Sequence, residues 1–469
     1  MKKHLVKAIA LFAVLALSVT LFAGCGGNDT AKDEQGRTIL SVGGWPDKEG
    51  KALDNINARK ARFEEANPDV VIEPDHWAFD RKTFYAKAAG GQLPTVYTAQ
   101  FTDLPEIISS EYSADLSKVL SKRGYDGMFN EDILELISGE NGEIYAFPIN
   151  SYVLGLAVNT ELFEQAGLLE EDGTPKQPKD WNEVAEFAVQ IKEKTGKPGF
   201  VFPTSANVGG WIFTSVAWSY GVDFMEKDSD GAWKATFDTP ECVEALQYIK
   251  DLKWKYDVIP ANTIVDYSEM YKVFATGGAG MLISAGDGTN SVASFGMTPD
   301  QFGIVAMPAG PKGHVTLLGG DVICIKDNAT EEQIDAAIRW IETAYSYQLT
   351  DEYKQNQTTT IDQMLNDGKL VGVKHLSPWS EKAESLSWLN STRDTKANSN
   401  PNHVRLYNEF VLDCPAEIRP EEPVCAQELY QTLDNCIQEV LTNENADCSE
   451  VIAKAAADFQ ANYLNNLTY

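Results

Sequence analysis

The run Val153-Leu154-Gly155-Leu156-Ala157-Val158 contains no polar side chain. A strand with one wet face alternates apolar and polar residues, whereas a run with no alternation has to be covered on both faces. Such a strand belongs inside an α/β layer. Upstream, Asn141-Gly142 is a turn dipeptide, and residues 144–149 form another apolar run interrupted by Pro148. Proline has no N–H to give a sheet ladder, so it marks the end of that first strand. The spacing predicts a strand, a proline joint, a second strand, and then a short helix capped by Thr160 and stopped by Gly167. We read 142–159 as the place where the chain passes from one half of the protein to the other.

Two halves are also what the length asks for, since 469 residues suit two cores of about 150 to 250 residues each. The formal net charge of −30 argues against nucleic acid and anionic membrane surfaces as partners. The N-terminus is the exception to this acidity. Lys2, Lys3 and Lys7 precede a nearly apolar stretch, 8–23, that ends at Ala23-Gly24-Cys25. The stretch is shorter than the roughly 20 residues a membrane span needs, and the pattern resembles a bacterial lipoprotein signal peptide. That resemblance implies that residues 1–24 are removed, that Cys25 carries the lipid, and that 25–37 is a polar tether.

Six further cysteines (242, 324, 414, 425, 436 and 448) include no Cys-x-x-Cys pair, and the five histidines are scattered, so no zinc spacing appears. Cys242 and Cys324 fall on apolar faces and read as buried free thiols. Pairing among the last four is left open. Asp228-Ser229-Asp230-Gly231 lacks the closing Glu of a calcium loop, with Phe237 at that position, and reads as a hairpin turn.

Taken in order, residues 38–42, 51–66 and 70–72 read as strand, helix and strand. Ligands of open α/β sheets collect beyond the carboxyl ends of strands, which makes Trp45 and Asp47 site candidates. A second unit follows, with a helix at 82–89 and a strand at 96–99, and its outgoing loop holds Gln100 and Thr102. Asp180 caps a helix whose buried stripe is Trp181, Val184, Ala188 and Ile191, with Glu183 as the reciprocal capping partner. Residues 200–224 combine Gly209-Gly210, Trp211, Trp218 and Tyr220. Core packing is the bland account of both tryptophans, but the paired glycines leave room beside Trp211 for something flat to stack.

The order of several short pieces resembles the extracellular solute-binding proteins of ABC importers, the family that includes the maltose-type sugar binders. The pieces are Phe63-Glu64-Glu65-Ala66-Asn67-Pro68, Gly90-Gly91-Gln92-Leu93-Pro94, 142–159 with 162–168, the 178–183 helix start, Phe274 with Gly280-Met281, and Met307-Pro308 with Gly319-Gly320. Each is weak alone; their shared order is specific. The resemblance implies a periplasmic-binding-protein-like fold, two α/β lobes joined by a hinge of several crossings. Lobe 1 would hold 38–149 plus 303–326 and lobe 2 would hold 150–302 plus 327–469, with crossings at 148–151, before Gly303 and near Lys326.

It further implies a monomer that binds a carbohydrate, an oligosaccharide, in the interlobe cleft. The protein would be anchored outside the cytoplasm by its lipid alone, need no cofactor or metal, and hand its ligand to the ABC permease subunits. Carried over by position, Trp45, Asp47, Gln100, Thr102, Tyr152, Trp211, Asp287 and Asp321 should face the cleft. Asp287 stands where many sugar binders carry a stacking tryptophan. Aromatic faces cover the C–H face of a sugar ring, while carboxylates and amides serve its hydroxyls. A phosphate or carboxylate ligand would want converging Arg and Lys, and the candidate loops offer only Lys48 and Arg81, which speaks against one; Asp80 and Glu73 read as solvated acids.

Two other readings remain at this point. A surface carbohydrate-active enzyme needs two carboxylates roughly 5 to 9.5 Å apart, which 69 acidic residues can supply. Against it stands the lack of Gly-x-Ser-x-Gly, His-Glu-x-x-His and phosphate-loop motifs. A binding protein serving a sensor in place of a transporter is the other. Trp379 and Trp388, in the region 348–419, either reach the cleft rim or pack.

Overall fold

The computed structural model describes residues 31–467, apart from the side chains of Asp287 and Thr289. The expected signal peptide and the expected lipid site, Cys25, lie outside the described residues. The expected tether is in part ordered: Lys32 bridges Thr38, and Asp33 accepts hydrogen bonds from the Gln35 and Arg37 amides, folding 31–37 back on the first strand.

Ten strands are present among the described residues: β1 (Thr38–Val42), β2 (Val70–Pro74), β3 (Val96–Gln100), β4 (Phe147–Asn159), β5 (Met225–Lys227), β6 (Trp233–Ala235), β7 (Met281–Ala285), β8 (Phe302–Ala306), β9 (Val315–Ile325) and β10 (Glu417–Pro420). The main sheet runs β2-β1-β3-β9-β4-β7, with β10 on β9 and β8 on β4; β5 and β6 form the hairpin expected around Asp228. β1 is parallel to β2 and β3, while β9 is antiparallel to β3 and β4.

The chain forms a single strand β4 where two in series were expected, because Pro148 is absorbed by a bulge against β9 between Pro148 and Asn150. The helix Thr160–Ala166 follows directly. Its cap is Asn159, whose side chain accepts from the Leu162 amide; Thr160 instead donates to the Asp300 carbonyl. Gly167 ends it in the left-handed conformation, as expected. Asp180 caps Trp181–Thr195, but Glu183 reaches back to the Lys179 amide, one residue short of a reciprocal box.

Two apolar cores divide the molecule. The first gathers Leu40, Phe63, Phe84, Tyr97, Phe147 and Trp340; the second gathers 153–158, Trp181, Trp218, Leu246, Tyr407 and Phe459. β4 joins them, with Phe147 in the first and Val153 in the second, and β9 returns, with Leu317 in the second and Leu318 in the first. Other boundaries differ from expectation. β7 and β8 both pair with the far half of β4, so the segment before Gly303 stays with the second core and does not cross. Lys326 is buried beside Thr95 at the end of β9. The helix Glu331–Glu342 packs its apolar face on the first core, and Gln333 donates to the Ile39 carbonyl. The third bridge lies further on, where Leu370 and Val373 join the second core and Trp379 and Ala383 the first.

Candidate functional site

The sheet register assembles the site. Gln100, the last residue of β3, pairs with Asp321 on β9, and Asp321 pairs on its other side with Asn150 on β4. Asn150 donates to Asp321 Oδ2 at 2.8 Å and accepts from the Asp321 amide at 3.0 Å. One step along, Tyr152 lies over Gly319; a Cβ on that glycine would sit 2.4 Å from the tyrosine ring, and one on Gly320 would sit 2.5 Å from the Asn150 carbonyl. The paired glycines are what let β4 and β9 pass so closely where they leave one core for the other.

The opposite wall comes from the helix Val208–Ser219. Asn207, left-handed at φ 69°, precedes it, and Asp434 from the helix Ala426–Thr442 caps it by accepting from the Asn207 and Gly210 amides at 2.7 Å each. A Cβ on Gly210 would lie 2.1 Å from the Tyr430 carbonyl. Gly209-Gly210 therefore serves the contact between two helices, and that contact brings Tyr430 and Trp211 to one cavity.

The cavity is about 280 Å³ and is lined by Gln100, Thr102, Tyr152, Trp211 and Asp321 of the expected residues, together with Arg81, Asn207, Glu421 and Tyr430. Arg81 grips Asp103 with both Nε and Nη2 and donates to Gln100 Oε1 at 2.8 Å. Asp103 is buried; burial raises its pKa and Arg81 opposes the rise. Thr102 donates to Glu421. Burial, with Asp103 adding to it, pushes Glu421 up to about 8 against the pull of Trp211, Arg81 and Tyr430. At neutral pH this carboxyl is protonated and can donate as well as accept. The Tyr430 hydroxyl is buried beside the Glu421 carboxyl and makes no hydrogen bond of standard geometry among the described residues.

Trp45 and Asp47 are not part of this group. Trp45 is buried, stacked on Trp340 at 6.1 Å between ring centroids and bonded to Asn57, because the turn after β1 folds under the helix Glu331–Glu342. Asp47 is exposed beside it. Asp287 belongs to the turn Gly286–Gly288 after β7, whose last residue Ala285 lines the cavity; its side chain is outside the described residues. Asp80 caps the helix Arg81–Ala89, and Lys48 and Glu73 are exposed. Asn207, Glu421 and Tyr430 were not singled out by sequence reasoning. The unusual pairing of Gly209-Gly210 with Trp211 was the one pointer to their neighbourhood, and no local pattern marks Glu421.

A second cavity, of about 320 Å³, adjoins the first at Tyr152, which lines both. Its walls include Asn150, Asn290, Tyr345, His375, Trp379 and Arg393. Trp379 stacks on Phe129 at 5.4 Å and so both packs in the first core and faces this cavity; Trp388 packs edge-on against Tyr353. Among the described residues there is no cluster of His, Cys, Asp or Glu placed to hold a metal, and Cys242, Cys324, Cys414, Cys425, Cys436 and Cys448 are free thiols. No helix among them is long and apolar enough to cross a membrane.

The mixed α/β architecture, with its sheet carried from one core to the other, defines a periplasmic-binding-protein-like fold. Residues 45–349 match the model of the bacterial extracellular solute-binding protein family, and the chain belongs to that family, whose members are substrate-binding proteins and not enzymes. The putative ABC transporter periplasmic-binding protein YcjN of Escherichia coli K12 is 25% identical over 59% of this chain and 60% of its own length. The match thus spans about 60% of that relative. The sn-glycerol-3-phosphate-binding periplasmic protein UgpB of E. coli O1:K1 is 25% identical over 47% of this chain and 51% of its own. Among solved structures, maltose-bound MalE3 of T. maritima superposes with a TM-score of 0.65 at 20% identity, covering 90% of this chain and 99% of its own. UgpB of Mycobacterium tuberculosis in complex with glycerophosphocholine gives 0.67 at 17% identity, covering 91% and 98%.

Proposed function

We propose that the chain binds a carbohydrate, an oligosaccharide, in the first cavity and delivers it to an ABC importer by closing around the β4–β9 crossing. The observation that carries this reading is the meeting of Tyr152, Trp211 and Tyr430 rings with Gln100, Asp321 and Glu421 around about 280 Å³. Rings cover C–H faces and the polar groups serve hydroxyls, the division of labour a sugar needs. Arg81 is engaged by Asp103 and Gln100, so this cavity offers no unpaired cation among the described residues. The buried Tyr430 hydroxyl, beside Glu421 and without a hydrogen bond of standard geometry, suits a ligand hydroxyl. Asp287, on the turn beside Ala285, is a further candidate contact. A ligand touching both cores when they are shut stabilises that state and shifts the population to it. In this reading the mature protein is a monomer held outside the cytoplasm by a lipid on Cys25.

The test is thermal unfolding of the protein beginning at Asn28 against mono- and oligosaccharides, with the sugars recovered and sized. A ligand at about 1,000 times its dissociation constant adds ~4 kcal/mol to the folded state. Stabilisation by one sugar class, returned uncut, is expected. No shift from any sugar would reject the carbohydrate, and shortened products would make the protein an enzyme.

A further inference from the structure

The second cavity differs in charge from the chain that surrounds it. No Asp or Glu lines it among the described residues, in a chain of net charge −30. Arg393, on the helix Glu384–Thr395, lines it, and among the described residues no carboxylate lies within ion-pair distance of its guanidinium. Arg81, Arg123, Arg339, Arg405 and Arg419 each have such a partner. Arg59 and Arg62 lack one but are otherwise used: Arg59 lies 3.9 Å over the Trp340 ring, and Arg62 donates to Asn356 Oδ1 at 2.7 Å.

Burial lowers the pKa of Arg393, and burial followed by Arg393 itself holds His375 down to about 3, so the neighbouring imidazole is neutral and adds no charge. The Asn290 amide oxygen, buried and without a partner among the described residues, is an acceptor on the same wall. Arg393 is half-buried, and a cation taken partly out of water with no counter-charge costs free energy to hold. It is kept where a ligand supplies the missing anion, and a guanidinium fork fits a carboxylate or phosphate through two parallel hydrogen bonds.

We propose that the second cavity is a subsite for an oxyanion carried by the ligand, with Arg393 as its partner and Tyr152 between it and the sugar ring in the first cavity. This rests on the carbohydrate reading of the first cavity. The oxyanion is either the carboxylate of a uronic acid or a phosphate ester, and Asn290 accepts from a hydroxyl beside it.

The test is titration of the full chain with three matched series: maltose, cellobiose, mannobiose and galactobiose; the same disaccharides oxidised to uronates; and their phosphate esters. At least one acidic member should bind roughly tenfold more tightly than its neutral parent, and the series that does so says which oxyanion is taken. In Arg393→Met that preference should vanish while neutral binding stays within about twofold. The ligand-free midpoint should hold or rise, since the substitution removes an unpaired charge and not a contact. Arg393→Lys, which keeps the charge without the fork, should recover part of the preference. Neutral disaccharides binding as well as their acidic forms would overturn the subsite and leave the carbohydrate reading standing. So would equal weakening of both series by Arg393→Met. Silence from all three series would overturn both.

Discussion

The two cavities share Tyr152 and little else. Among the described residues, the first is lined by Asp321 and Glu421, with its one cation bound to Asp103, and the second by Arg393 and no acid. Their walls also have different origins. The first is made by strand ends and a glycine-pinned helix pair, while the second draws on the 343–393 stretch that bridges the cores. Under the two proposals above, the pair would divide the work, hydroxyl recognition in the first cavity and charge recognition in the second, with Tyr152 lining both.

Breaking one wall should separate them most. Gly210→Val would place side-chain atoms inside the Tyr430 backbone, 2.1 Å from its carbonyl at the Cβ alone. It should destabilise the protein by about 3 kcal/mol or more and abolish sugar binding; denaturant unfolding and calorimetry check both. Trp211→Ala removes the stacking face without disturbing that contact. It should cost about 2 kcal/mol of sugar affinity, roughly thirtyfold, while any preference for acidic over neutral ligands, a second-cavity property, survives.

Glu421 gives a pH signature to the first cavity. Its pKa in the folded protein, about 8, lies above the usual 4.5, so between those values the folded chain keeps a proton that the unfolded chain has lost. Its contribution to stability is fully present below pH 4.5, declines as pH rises towards 8, and is lost above it. Unfolding measured from pH 5 to 9 should show this decline in the wild type and a flatter curve in Glu421→Gln. Sugar affinity should fall above pH 8 in the wild type alone. The smallest effect expected is that of Asn150→Ala, which removes two exposed hydrogen bonds with Asp321 and should cost about 0.5 kcal/mol of sugar affinity by calorimetry.

Five of the seventeen residues that line the first cavity were singled out by the sequence. Gln100, Thr102, Tyr152, Trp211 and Asp321 sit beside turns, strand ends or paired glycines, where the backbone's requirements show in the sequence. Trp45 sits beside a strand end too, yet it is buried against Trp340, almost 300 positions away. Glu421 and Arg393 have no local signature, because an acid or an arginine in a charged chain looks the same whether it faces water or a cavity.

The sequence by itself determined that 153–158 is buried on both faces, that Gly167 stops the helix after β4, and that Asp180 starts another, since periodicity and capping act over a few residues. Only the tertiary structure decided which core receives β8 and the helix Glu331–Glu342, and which charges lose their water. Those outcomes depend on contacts between segments hundreds of residues apart, whose energies no short stretch of sequence contains.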